Sequence, residues 1–298
     1  MTEHHLARDP TLDATEEQLR LQALLKAPSY RRAELDTDFL NRDELRPVRM
    51  QLELLKPELA LAERHVASTI VLFGGARIVD RERAEIRLKR AEEEAAAKPG
   101  DAKTAREVEV SRSLLAKARY YDEAREFAKI VSCDCQKNDQ CDYVIVTGGG
   151  PGIMEAGNRG SFDVGAKSIG LNITLPHEQL PNPYITPELC FQFRYFALRK
   201  MHFLLRAAAV IYFPGGYGTL DELFETLTLR QVGKLQQIPI ILYGREYWDR
   251  IIDFQALADE GVIADEDIDL LAYAETPVEA WRLIKNFHER NSASTPKS

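Results

Sequence analysis

Residues 213–222 read "FPGGYGTLDE", with Gly215, Gly216 and Gly218 inside four positions and Asp221 and Glu222 immediately behind them. Upstream, "RAAAVIYF" has the composition of a buried strand; downstream, "LFETLTLRQ" has that of a helix. Two more turns of the same kind follow apolar runs: "FGGAR" at 73–77, and "TGGGPGIME" at 147–155, which carries Gly148, Gly149, Gly150, Gly152 and Glu155. A strand, a glycine-rich turn and a helix N-terminus leave unpaired N–H groups aimed at one spot, with the positive end of the helix dipole behind them. Such a site binds phosphate without a lysine. None of the three turns continues into the Gly-Lys-Ser/Thr of a P-loop. The dinucleotide fingerprint fails as well, because Ile153, Glu155 and Asp221 stand where its last glycine belongs.

Glu222 has two readings. With Thr219 three residues before it, it completes a capping box and merely starts a helix. Alternatively, a carboxylate beside an anion site suits cleavage of an N-glycosidic bond, whose transition state develops positive charge on the sugar. The residues alone leave these two readings even. Just upstream, "RYFALRKMHFLLRAAA" sets Arg194, Arg199, Lys200 and Arg206 on the helix that leads into the strand before the glycine turn. Arginine offers a planar fork to phosphate or ribose oxygens. A solvated or ion-paired helix face is the competing account of each of these cations.

Positioning these groups requires short strands ending at the turns. Val/Ile/Leu-rich runs at 143–147, 168–173, 207–213 and 238–243 alternate with amphipathic helices near 151, 194–206, 219–231 and 247–258, followed by a final strand and helix. This alternation predicts an α/β fold: a Rossmann-like, doubly wound parallel sheet with helices on both faces, whose ligands bind at the carboxyl ends of the strands. Residues 1–66 are polar and helix-prone, and they read as an N-terminal helical extension in which Pro57 breaks a helical pattern. The catalytic domain is expected over 67–290. Within it lies a charge-rich insertion at about 81–117, two helical arms joined at Pro99-Gly100 and expected to be solvated. The tail, 291–298, is expected to be disordered.

The 298 residues carry a formal net charge of −8, with 45% hydrophobic and 29% charged residues. That balance argues against a nucleic-acid-binding surface. No apolar run is long enough for a membrane span, and the N-terminus lacks the core of a signal peptide, so the cytoplasm is the expected location. Cys133, Cys135 and Cys141 do not follow zinc-ligand spacing, and they are expected to be reduced thiols in a loop between a helix and a strand, with no metal bound.

"PGGYGTLDE", preceded by Arg199-Lys200, resembles the PGGxGTxxE and RK motifs of the LONELY GUY (LOG) family, often labelled "lysine decarboxylase-like". "TGGGPGIMEAGNRG", "SIGLNITLPHEQ" and "NPYIT" resemble its longer bacterial branch. The resemblance spans about 68–290 and implies a phosphoribohydrolase. Such an enzyme splits AMP or a cytokinin riboside 5′-monophosphate into free base and ribose 5-phosphate, without a cofactor. It further implies that Arg199 and Glu222 are the catalytic pair and that Gly215, Gly216, Gly218 and Thr219 bind phosphate. Gly148, Gly149, Gly150, Gly152, Glu155 and Lys200 are assigned to the same substrate site. Phe203 stands where many members have methionine, a departure that bears on base preference. A homodimer or larger even homo-oligomer is implied too. The alternative is a non-catalytic sensor or carrier of a nucleotide or phosphorylated cofactor, such as a molybdenum cofactor carrier. A pyridoxal-phosphate decarboxylase finds no support, since no S-x-H-K segment is present.

Overall fold

The computed structural model describes residues 14–136, 141–175 and 180–294, and it divides into two compact units, Met1–Leu52 and Glu53–Ser298. The first contains α1 (Ala14–Lys26), the single turn α2 (Thr37–Leu40) and the start of α3 (Arg46–Glu63). Asp36 caps α2 by accepting from the Phe39 N–H at 3.1 Å, and Arg49 donates to the carbonyls of Leu40 and Arg42 at 2.6 Å each. The extension was expected to end at 66, whereas the division falls at 52/53, inside α3.

The second unit is built on seven parallel strands: β1 (Thr69–Phe73), β2 (Val144–Thr147), β3 (Ser168–Ile173), β4 (Cys190–Phe193), β5 (Ala207–Tyr212), β6 (Ile240–Tyr243) and β7 (Leu271–Ala274). Their order is β4-β3-β2-β1-β5-β6-β7, so the winding direction reverses between β1 and β5. Every residue of β1, β2, β5 and β6 is buried, as a parallel sheet covered on both faces requires. The helices after α3 are α4 (Arg81–Ala97), α5 (Ala102–Ala116), α6 (Arg119–Cys135), α7 (Ile153–Phe162), α8 (Phe196–Leu205) and α9 (Tyr217–Gln231). Then come α10 (Arg245–Ile251), α11 (Phe254–Asp259), α12 (Asp265–Ile268) and α13 (Pro277–Ser294).

Alternate strand residues serve opposite faces. Ile70, Leu72, Ile145 and Ile211 join a cluster with Phe127 and Val131 of α6 and Trp281 and Ile284 of α13. On the other face Phe73 meets Phe203 of α8 edge-on at 4.8 Å and stacks on Tyr212 at 5.3 Å. There Pro57 and Leu61 of α3 are buried next to Thr69, Val146 and Ile169.

Several boundaries differ from expectation. Pro57 does not break its helix: α3 runs through it, because the apolar contact of Pro57 and Leu61 outweighs one missing N–H. The short strand β4 is an addition at the sheet edge. The expected helix at 247–258 is two, separated where the Asp253 side chain caps α11 by accepting from Ala256 N at 2.9 Å. Cys133 and Cys135 belong to the last turn of α6 rather than to a loop, and Cys133, Cys135, Cys141 and Cys190 are free thiols. α13 continues through Ser294, four residues into the stretch expected to be disordered; 295–298 lie outside the described residues. No helix of the described residues is long and apolar enough to cross a membrane.

Candidate active site

The three glycine turns meet at Gly75. Its N–H donates to the Pro214 carbonyl at 2.9 Å, and its own carbonyl accepts from Ile153 N, at the start of α7, at 3.3 Å. The turns after β1, β2 and β5 are thereby stitched together where the strand order reverses. Gly152 (φ +70) makes this possible, since a Cβ there would lie 2.5 Å from the Gly75 oxygen.

Next to this junction lies a cavity of about 660 Å3. Gly74, Gly75, Gly148, Gly215, Gly216, Gly218 and Thr219 line it, with Arg199 from α8 and Glu222 from α9. α9 starts at Tyr217 with Gly216 as its N-cap and no side-chain cap. Among the described residues, the N–H groups of Gly216, Tyr217 and Gly218 donate to no acceptor. They form the free, positively polarised helix start that an anion requires. The Tyr247 hydroxyl donates to the Gly215 carbonyl at 2.5 Å and holds the turn from α10.

The capping-box reading of Glu222 does not stand. The helix begins three residues earlier than that reading needs, so Thr219 is its third residue and Glu222 its sixth. Glu222 is 7% exposed, and among the described residues none donates a hydrogen bond to its carboxylate. Burial pushes its pKa up to about 7, with Glu225 and Asp221 pushing the same way and Lys200 and Arg199 opposing. Arg199 donates from Nε to the Leu171 carbonyl at 2.7 Å and from Nη2, weakly, to the Gly148 carbonyl at 3.4 Å. Its guanidinium lies 5.1 Å from the Phe203 ring. Desolvation lowers its pKa from the usual arginine value, against the pull of Glu222.

Five residues assigned to the site do not line this cavity. Gly149, Gly150 and Gly152 shape the turn: Asn182 Nδ2 donates to the carbonyls of Gly149 and Gly150 at 3.1 Å each. Glu155 is ion-paired with Arg83 and accepts from the Tyr121 hydroxyl at 2.6 Å, tying α4, α6 and α7 together. Lys200 is held by Asp221 at 3.0 Å and Glu225 at 2.8 Å, so the lysine of the motif is engaged in ion pairs and offers nothing to a pyridoxal-phosphate reading.

The sequence also hid a wall. α5 was expected to be solvated, yet Arg106, Val110, Ser113 and Leu114, followed by Lys117, line the cavity opposite the glycine turns, joined by Ile78 and Phe196. Ion pairs across the hairpin, Arg87–Glu107 at 2.6 Å and Arg112–Glu92 at 2.9 Å, hold α5 against α4. Only the modest apolar content of α5 hinted at a buried side. Among the described residues no group of three or more His, Cys, Asp or Glu could hold a metal ion.

The family model described as "Possible lysine decarboxylase" matches residues 154–284. Three plant proteins are similar over about half of this chain. The cytokinin riboside 5′-monophosphate phosphoribohydrolase LOG3 of Arabidopsis thaliana is 28% identical over 155 residues, 49% of this chain and 70% of that protein. The enzyme LOG of Oryza sativa subsp. japonica is 30% identical over 165 residues, 54% of this chain and 64% of that protein. The probable phosphoribohydrolase LOGL6 of the same rice is 26% identical over 159 residues, 52% and 62%. The chain thus spans less than two thirds of the length of the two rice proteins. A solved molybdenum cofactor binding protein from Rippkaea orientalis is similar at 20% identity over 56% of this chain and 87% of that one, with a TM-score of 0.41. The matched segment supplies both Arg199 and the turn that leads to Glu222, and over about half of its length the chain is similar to LONELY GUY (LOG) phosphoribohydrolases of plants.

Proposed function

We propose that this protein is a nucleoside 5′-monophosphate phosphoribohydrolase, releasing free base and ribose 5-phosphate from AMP or a cytokinin riboside 5′-monophosphate. The observation that carries the reading is a buried carboxyl with a pKa near 7, sharing a cavity with Arg199 and with a helix start whose N–H groups are free. The 5′-phosphate sits on the N–H groups of residues 216–218, and Arg199 holds phosphate or ribose oxygens with the part of its fork left free by Leu171 and Gly148. As the bond from C1′ to the base nitrogen breaks, the Glu222 carboxylate stabilises the cationic sugar. It then takes a proton from water as the water oxygen bonds C1′. That proton ends on the departing base, so one water is consumed and Glu222 is regenerated. The site would operate in the cytoplasm within a homodimer or larger even homo-oligomer, an assembly that light scattering measures.

Purified protein incubated with AMP and the other common 5′-monophosphates should yield free base and ribose 5-phosphate by chromatography. Glu222→Gln and Arg199→Ala should each lower kcat/KM by about 10²–10³-fold with folding retained. Saturable nucleotide binding with no base released over hours would replace this reading with that of a carrier or sensor.

A further inference from the structure

Arg199 depends on α8, a helix of ten residues, and α3 engages both ends of that helix. At its start, the Glu53 carboxylate accepts from Arg194 N at 2.8 Å and Tyr195 N at 3.2 Å. α8 has no side-chain cap of its own; Glu53, from another helix, accepts from the N–H of the N-cap residue Tyr195, as the acid of a capping box does. Its negative charge also meets the positive end of the α8 dipole. At the other end, Glu58 forms an ion pair with Arg206, the residue that closes α8. It also lies 3.4 Å from Nδ1 of the buried His202.

Pro57 belongs to the same arrangement. It has no N–H, so it leaves the carbonyl four residues back, that of Glu53, without its helical donor. That carbonyl and Glu58 both favour a proton on His202, although burial keeps the pKa of the ring below its ordinary value. The proline that looked like a helix breaker therefore sits between two acids that each hold α8.

We infer that Glu53 and Glu58 of α3 are positioning residues for Arg199: they clamp α8 at both ends and fix the guanidinium in the cavity. This inference rests on the proposed hydrolase reading, and it gives the segment before β1 a part in the reaction without contact with substrate. Small displacements of a catalytic group cost rate more than affinity.

The test is a comparison of Glu53→Ala, Glu53→Gln and Glu58→Gln with the parent in the full chain, using AMP. Hydrogen exchange of residues 194–205 and the thermal midpoint are measured alongside. Glu53→Ala should lower kcat by about 10–100-fold, with KM changed by less than about threefold and faster exchange confined to α8. Glu53→Gln retains an acceptor oxygen and should recover most of the loss; Glu58→Gln should fall between the two. An unchanged kcat in Glu53→Ala, or a loss that Glu53→Gln does not recover, overturns the inference. Should Glu53→Ala fail to fold, Glu53→Gln and Glu58→Gln decide: parent-like kcat together with parent-like exchange in both refutes the clamp. If the parent itself releases no base, it is the hydrolase reading that fails, and α8 exchange in the variants still reports whether α3 holds the helix.

Discussion

Glu222 illustrates how burial can set a charge state when neighbouring charges oppose one another. Lys200 and Arg199 favour its carboxylate, while Glu225 and Asp221 disfavour it. Because Lys200 is itself paired with those two acids, desolvation is left as the deciding influence. The group is then poised near neutrality, where it can hold or release a proton at little cost. The pH profile of kcat/KM should show an ionisation near 7, with activity on the alkaline side, where the carboxylate can stabilise the cationic sugar and take a proton from water. In Glu222→Gln the residual activity should lack that limb. A profile unchanged in the Gln variant assigns the ionisation elsewhere. Arg199 and Glu222 were picked out in the sequence through the family motif, and both line the same cavity. Whether Glu222 closes a capping box was not legible. It turned on where α9 begins, which the backbone at Gly216 decides.

Among the elements, the glycine turn before α9 tolerates little change. A Cβ on Gly215 would collide with the Thr219 side chain, so Gly215→Ala must shift the start of α9. Its KM for AMP should rise by about tenfold or more, with only a small change in thermal midpoint, as steady-state kinetics and calorimetry can show. The arm α4 is anchored differently, through Arg83 to the buried Glu155. Arg83→Ala leaves that carboxylate with Tyr121 alone, and it should destabilise the fold by about 2 kcal/mol in denaturant titration. The two arms and their joint at Pro99-Gly100 were readable from composition and from glycine and proline placement. That α5 walls the cavity was not readable, because Val110 and Leu114 reach it across about a hundred residues of chain, and a local pattern carries no such pairing. β4 was missed for a related reason: "CFQF" is four residues long and acquires its identity by pairing with β3.

For the whole molecule, the shifted carboxyls set opposite slopes of stability against pH. Glu155 and Asp80 have lowered pKa values; in both, burial opposes the pairing with Arg83. Their stabilisation is complete above the ordinary carboxyl range and is lost as pH falls through their folded values. Glu222 works the other way. Its folded pKa of about 7 exceeds the unfolded value of 4.5, so its contribution is greatest below 4.5 and is lost as pH rises through 7. These groups together place the stability maximum near pH 4.5, with a decline from there to about 7 as Glu222 is deprotonated. Glu222→Gln should gain on the order of 2–3 kcal/mol over the parent at pH 8, and nothing at pH 4, by chemical denaturation. An equal gain at both pH values would mean that the buried carboxyl carries no penalty of charge. The alternation of strands and helices made the sheet legible, but the order of its strands became visible only in three dimensions. The α4–α5 hairpin, finally, has a consequence in evolutionary terms. It occupies the crossover between β1 and β2, while the turn, Arg199 and Glu222 come from β2 onward. The far wall of the cavity can therefore vary in sequence while the turn, Arg199 and Glu222 stay where they are.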